Sequence, residues 1–154
     1  MKRREWMLKV AALAVAGIAG RAGAVELPEM LVYKSSTCGC CNDWVKHLRA
    51  SGFTVRTTDV VDLDSVRARF GVPQRLASCH TAVIGGYIVE GHVPASAVKR
   101  VLAEKPSAVG ISVAGMPTGS PGMEGLKQEP FSAVVFDERG RSKVFESYRP
   151  PYRW

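Results

Sequence analysis

The sequence predicts an α/β protein: a mixed sheet with helices on both faces, followed by a glycine- and proline-rich loop and a C-terminal β-hairpin. Three observations carry this prediction. Short apolar or β-branched runs alternate with segments of helical periodicity from residue 31 to about residue 105. Gly85-Gly86 joins two of those runs as a tight hairpin. Two further strand-like runs flank Asp137-Glu138-Arg139-Gly140 near the C-terminus. A βαβ start followed by a hairpin and a helix puts parallel and antiparallel strands into one sheet.

Each element has a local reason. Residues 31–34 are a short apolar run suited to a buried strand, and the cysteine cluster follows directly. Over residues 42–51, Trp44, Val45 and Leu48 recur at helical spacing and Gly52 supplies a stop. Residues 53–60 are rich in β-branched side chains and predict a second strand. Residues 62–70 predict a second helix, with Leu63, Val66 and Phe70 on one face and Gly71 closing it. Residues 81–84 and 87–89 are the strands of the glycine hairpin. Pro94 opens a third helix, where its missing N–H costs nothing; Ala97, Val98, Val101 and Leu102 form the apolar face, and Pro106 follows the end. Residues 110–125 have no usable periodicity and read as a loop, and residues 131–136 and 143–148 form the last hairpin.

The N-terminus reads differently. Lys2, Arg3, Arg4 and Lys9 precede an apolar run from Val10 to Gly20, and Ala22-Gly23-Ala24 matches an A-x-A cleavage pattern. Eleven apolar residues fall short of the roughly 20 that span a bilayer. Residues 1–24 are therefore expected to be a cleavable export signal, by the general secretory or the twin-arginine route, touching the membrane only transiently. Residues 25–154 are then one domain in the periplasm, an oxidising compartment where disulfides persist. The chain has 21 basic and 14 acidic residues, of which residues 1–24 hold five and one, leaving 16 against 13. The high isoelectric point belongs largely to the signal, and no basic stripe remains for nucleic acid.

Thr-Cys-Gly-Cys-Cys places three of the four cysteines at positions 38, 40 and 41. Cys38 and Cys41 form a C-x-x-C pair at a strand-to-helix junction, where unpaired N–H groups stabilise a thiolate. This pair suits thiol–disulfide catalysis, Cys38 attacking and Cys41 resolving. Here the chain resembles the thioredoxin superfamily, whose usual C-G-P-C appears as C-G-C-C. The third thiol, Cys40, is superfluous for a two-cysteine catalyst, yet an advantage for Cu(I), which favours thiolate and thioether ligands. Cys79, in Ser-Cys-His-Thr, precedes the strand at residue 81. In thioredoxin-like folds that loop carries a cis-proline against the C-x-x-C, so the resemblance brings Cys79 and His80 beside the first three thiols.

Other readings stay open. Cys79 can be a small buried hydrophobe, His80 a structural histidine, and the cluster a disulfide staple. Four cysteines can also hold zinc, but zinc sites usually come as two separated ligand pairs, so zinc ranks below copper. Met116 and Met123 lie in the glycine-rich loop without an evident core to fill, and their thioethers are further soft ligands. His92 can bind metal or hydrogen-bond near the start of the third helix. His47 reads as a solvated residue among Lys46 and Arg49.

The motifs T-C-G-C-C, S-C-H-T-A, G-G-Y-I-V-E-G-H-V-P and G-M-P-T-G-S-P-G-M-E together closely resemble the CopG-type proteins of bacterial copper-resistance systems. The resemblance runs from about Leu31 to Tyr148. It implies a thioredoxin-like βαβαββα fold in the periplasm and copper at Cys38, Cys40, Cys41, Cys79 and His80, as Cu(I) and in a multinuclear cluster. Met116 and Met123 lie in matching motifs, and their ligand role rests on softness and position. Two function classes follow: a copper-binding protein that keeps Cu(I) from redox damage or passes it to a chaperone or efflux system, and a thiol or copper oxidoreductase.

Overall fold

The computed structural model describes residues 26–125 and 127–154; the expected export signal lies outside the described residues. The elements are β1 (Met30–Lys34), α1 (Gly39–Ala50), β2 (Val55–Asp59), α2 (Leu63–Arg69), a 3-10 turn at Gln74–Leu76, β3 (His80–Ile84), β4 (Tyr87–Glu90), α3 (Ala95–Glu104), β5 (Gly110–Ser112), β6 (Phe131–Phe136) and β7 (Ser142–Tyr148). The strands form one seven-stranded sheet in the order β2-β1-β3-β4-β5-β6-β7. β1 pairs parallel with β2, and β4 with β5; the other four pairings are antiparallel. The mixed α/β architecture of the sequence prediction is present, with α1 starting earlier than its periodicity suggests.

One strand was not expected. The sequence reads residues 110–125 as loop, but Gly110–Ser112 is fully buried and pairs with both β4 and β6. Three residues are too few to establish a period. A Cβ at Gly110 would stand 2.4 Å from the Ile88 carbonyl oxygen, so the glycine permits the close approach of β5 to β4.

Strand alternation divides the interior in two. Met30 and Val32 face Trp44, Leu48, Val98 and Val101 from α1 and α3, with Ala82, Ile84, Val89 and Ile111 in the same core. On the opposite face, Val72, Leu76, Ile88 and Phe136 pack with Phe70 and Val83. Tyr33, alternating with Val32, meets Phe70 just beyond α2 at a ring distance of 5.6 Å. Each fully buried Leu or Met contributes roughly 1.5–3 kcal/mol, and the larger core is the one that α1 closes.

The C-terminus straps the long loop to the sheet. Trp154 Nε1 donates to the Gly119 carbonyl at 2.6 Å, and the Tyr152 hydroxyl donates to the Glu129 carbonyl at 2.8 Å. No helix among the described residues is long and apolar enough to cross a membrane.

Candidate metal centre

The cysteines meet because β1 ends where α1 begins and β3 lies next to β1. Cys38 is the N-cap of α1; its Sγ accepts from the Cys41 backbone N–H at 3.3 Å. Cys38 and Cys41 are joined in a disulfide, while Cys40 and Cys79 are free. Cys40 Sγ lies 3.5 Å from Cys38 Sγ and 3.9 Å from Cys79 Sγ. All four sulfurs fall within 4.8 Å of one another. Cys79 ends the segment before β3, and β1 pairs directly with β3 through Lys34 and His80.

A second group overlaps the first. Cys79 Sγ is 2.9 Å from His92 Nε2 and 3.4 Å from His80 Nδ1, and these three groups also lie within 4.8 Å of one another. His80 is fully buried, its ring 4.2 Å from Trp44 and 5.0 Å from His92. Its Nε2 has no hydrogen-bond partner among the described residues. His92, also fully buried, is fixed by the Pro121 carbonyl, which its Nδ1 reaches at 2.8 Å. That contact puts the proton on Nδ1 and leaves Nε2 as an acceptor facing Cys79.

Electrostatics follow burial. The His80 imidazole is held well below its ordinary range by burial, with His92 and Arg67 adding repulsion. Burial also lowers His92, against the Pro121 contact and the Glu124 carboxylate. The Cys79 thiol is pushed up to about 12 by burial and by the neighbouring Cys40. Both histidines are thus neutral, the form in which imidazole ligates metal, whereas a metal at Cys79 must displace a proton. A soft donor set, an unpartnered buried imidazole nitrogen and sulfurs at this spacing fit copper. With Cys38 and Cys41 bonded to each other, the complete sulfur set requires their reduction.

Two supports of the site were missed in the sequence. Glu90, with no exposed surface, receives the Ser78 backbone N–H at 2.7 Å, the Thr81 hydroxyl at 2.6 Å and Arg67 Nε at 2.9 Å. Burial pushes its carboxyl up, against the lowering by these donors. Arg67 also donates to the Ser78 carbonyl, so the ion pair clamps the residue before Cys79. The available signal was a glutamate ending the apolar run Tyr-Ile-Val-Glu, since a buried charge needs a partner. The other support is the long loop. Gly122 sits against the first turns of α1, where a Cβ would meet the Cys40 carbonyl oxygen and the Trp44 nitrogen at 2.6 Å. Met116 is 53% exposed on this loop, and Met123 is half-buried where its backbone closes turns with Gly119 and Ser120.

His47 differs from the solvated residue the sequence suggests. It is partly buried, and its Nε2 accepts the Ala95 backbone N–H at 3.0 Å, capping α3, whose own N-cap, Pro94, makes no side-chain cap.

The protein-family model described as "Protein of unknown function, DUF411" matches residues 76–123, the span from the 3-10 turn through the long loop. None of the curated proteins compared with the chain matches it. Two solved structures do: "Copper resistance protein copG", form 1, at 44% identity and a TM-score of 0.74, covering 79% of this chain and 98% of that one. Form 2 matches at 44% identity and a TM-score of 0.75, covering 80% and 98%. With that identity over nearly the whole length of those relatives, the chain belongs to the family of the copper resistance protein CopG.

Proposed function

We propose that the protein is a periplasmic copper-binding protein of copper resistance, with Cu(I) as cargo held by Cys38, Cys40, Cys41 and Cys79. The observation that carries this reading is the gathering of four sulfurs within 4.8 Å at the end of one helix. His80, Met116 and Met123 complete the proposed ligand set, and the approach of His92 Nε2 to Cys79 at 2.9 Å adds that residue to it. Four thiolates alone would satisfy one tetrahedral zinc ion; the imidazole and thioether donors beyond them are more than a single zinc uses and favour a multinuclear Cu(I) cluster. The strand order β2-β1-β3-β4, with α1 following β1, supports a thioredoxin-like core, and export through residues 1–24 is part of the same proposal.

The chemistry assigned to this chain's residues is simple. Reduction of Cys38–Cys41 frees two thiols, and each thiol that binds Cu(I) loses its proton. The Glu90–Arg67 clamp holds Cys79 in place, and the loop around Pro121 holds His92 and covers the helix end. Loaded copper then passes to a chaperone or an efflux system. The Cys38–Cys41 disulfide supports a second reading, a thiol–disulfide oxidoreductase in which Cys38 attacks and Cys41 resolves.

Anaerobic titration of the reduced protein with Cu(I), with metal and thiol counting, tests the first reading. More than one Cu(I) per chain is expected, falling in Cys40→Ser and in Cys79→Ser. Zero stoichiometry, or a value unchanged in both variants, would sink it. Insulin reduction that survives in Cys40→Ser and vanishes in Cys38→Ser would favour the second.

A further inference from the structure

We propose that Cys40 and Cys79 are a second redox pair, and that the Cys38–Cys41 disulfide migrates to them by internal exchange. The geometry is that of a relay. Cys40 Sγ stands 3.5 Å from Cys38 Sγ, one of the two bonded sulfurs, and 3.9 Å from Cys79 Sγ. Bonding Cys40 to Cys79 requires their sulfurs to close by about 2 Å, the difference between that separation and a disulfide bond. Both thiols are free and half-buried.

Two exchanges complete the transfer. In the first, the Cys40 thiolate attacks Cys38 Sγ; the Cys38–Cys41 bond breaks, a Cys38–Cys40 bond forms, and Cys41 leaves as a thiolate that takes up the proton Cys40 gave. In the second, the Cys79 thiolate attacks Cys40 Sγ; the Cys38–Cys40 bond breaks, the Cys40–Cys79 bond forms, and Cys38 leaves as a thiolate. Cys79 gives up one proton and Cys38 takes one up, so the exchange is neutral in protons; the attacking Cys79 Sγ is the one that rests 2.9 Å from His92 Nε2. One disulfide is lost and one gained, with no outside oxidant or reductant.

The two isomers differ in what they constrain. Cys38–Cys41 lies within one turn at the start of α1, whereas Cys40–Cys79 joins that helix to the segment entering β3, across 39 positions of sequence. The second isomer returns Cys38 and Cys41 as a dithiol at the helix N-terminus and withdraws Cys79 from His92. The proposal goes beyond copper binding and is tested without metal, so its failure leaves the copper titration unaffected.

The full chain is fully reduced, treated with one equivalent of oxidised glutathione, equilibrated without metal or oxygen, acid-quenched, alkylated and digested for peptide mapping. A crosslinked peptide joining the 38–41 segment to Cys79 is expected, with Cys40 and Cys79 losing their adducts together while Cys38 and Cys41 keep theirs. In Cys40→Ser the crosslink should disappear and Cys38–Cys41 remain. The double variant Cys38→Ser/Cys41→Ser should give an intramolecular Cys40–Cys79 disulfide. Full alkylation of Cys79 in the wild type at every time point overturns the proposal whether or not the double variant folds. A crosslink that persists in Cys40→Ser overturns the relay through Cys40, and glutathione adducts alone in the double variant overturn the pair.

Discussion

Glu90 shows how much of the proposed metal site depends on a residue outside its cysteines and histidines. Its carboxylate is fully buried beside an Arg67 guanidinium that is 11% exposed, and three donors converge on it from α2, β3 and the Ser78 backbone. Replacing a buried ion pair as a whole is often tolerated, but removing one partner strands a charge, at a cost of about 3–5 kcal/mol. Arg67→Met is therefore expected to lower the denaturation free energy by about that amount, while Arg67→Met/Glu90→Gln recovers most of it. Urea midpoints of the two variants at neutral pH check this; a single variant no less stable than the double would show that the pair is not a clamp. Cys38, Cys40 and Cys41 were legible in the sequence because their type and spacing state their chemistry, and Cys79, 39 positions from Cys40, was placed beside them only through the thioredoxin-like resemblance. Glu90 and Arg67 were not, because they lie 23 residues apart and nothing local reveals that they meet.

At the scale of elements, the cysteine helix and the loop over it depend on each other. α1 starts at Gly39, so Cys40 and Cys41 lie in its first turn instead of ahead of it. Sequence periodicity placed the start later because the cysteines read as reactive groups, whereas Cys41 is buried and extends the stripe of Trp44, Val45 and Leu48 by one turn. The loop was legible as a loop from its glycines and prolines, but composition says nothing about what a loop packs against. Gly122 holds φ at +83° and leaves no room for a Cβ against the Cys40 carbonyl and the Trp44 nitrogen. A left-handed conformation costs a non-glycine residue roughly 1–2 kcal/mol, and the helix backbone cannot yield. Gly122→Ala should destabilise the protein by more than that and lift the loop, releasing His92 Nδ1 from the Pro121 carbonyl. Faster proteolysis within residues 113–125 and a lower melting temperature are the expected readouts. Gly39→Ala is the control: it has open space around it, and it should leave both unchanged or slightly raise stability. Equal effects of the two substitutions would remove the steric explanation.

Across the whole molecule, the strand order depends on pairings that span most of the chain, and the sequence specified it only through alternation and hairpin signals. β5 was missed for want of length, although it is the strand that attaches the C-terminal hairpin to the rest of the sheet. The same long-range character applies to His47, which ties α1 to the start of α3 through the Ala95 N–H, three residues after His92. An imidazole accepts that N–H only while Nε2 is unprotonated, and burial lowers its pKa from the model-peptide value of 6.5, against the Glu124 carboxylate. The unfolded chain therefore binds a proton at His47 that the folded chain resists. This contribution to stability is fully present above pH 6.5 and is lost as pH falls below it toward the lowered folded value. His47→Gln keeps an acceptor, Oε1, and removes the titration. At pH 7.5 the two proteins should melt within about 1 kcal/mol of each other, the scale of one hydrogen bond. Below pH 6.5 the wild type should lose stability faster than His47→Gln, because His80 and His92 remain common to both and cancel in the comparison. Melting curves of the two metal-free proteins across this range decide the matter. Parallel pH profiles would mean that the cap does not depend on the charge of His47.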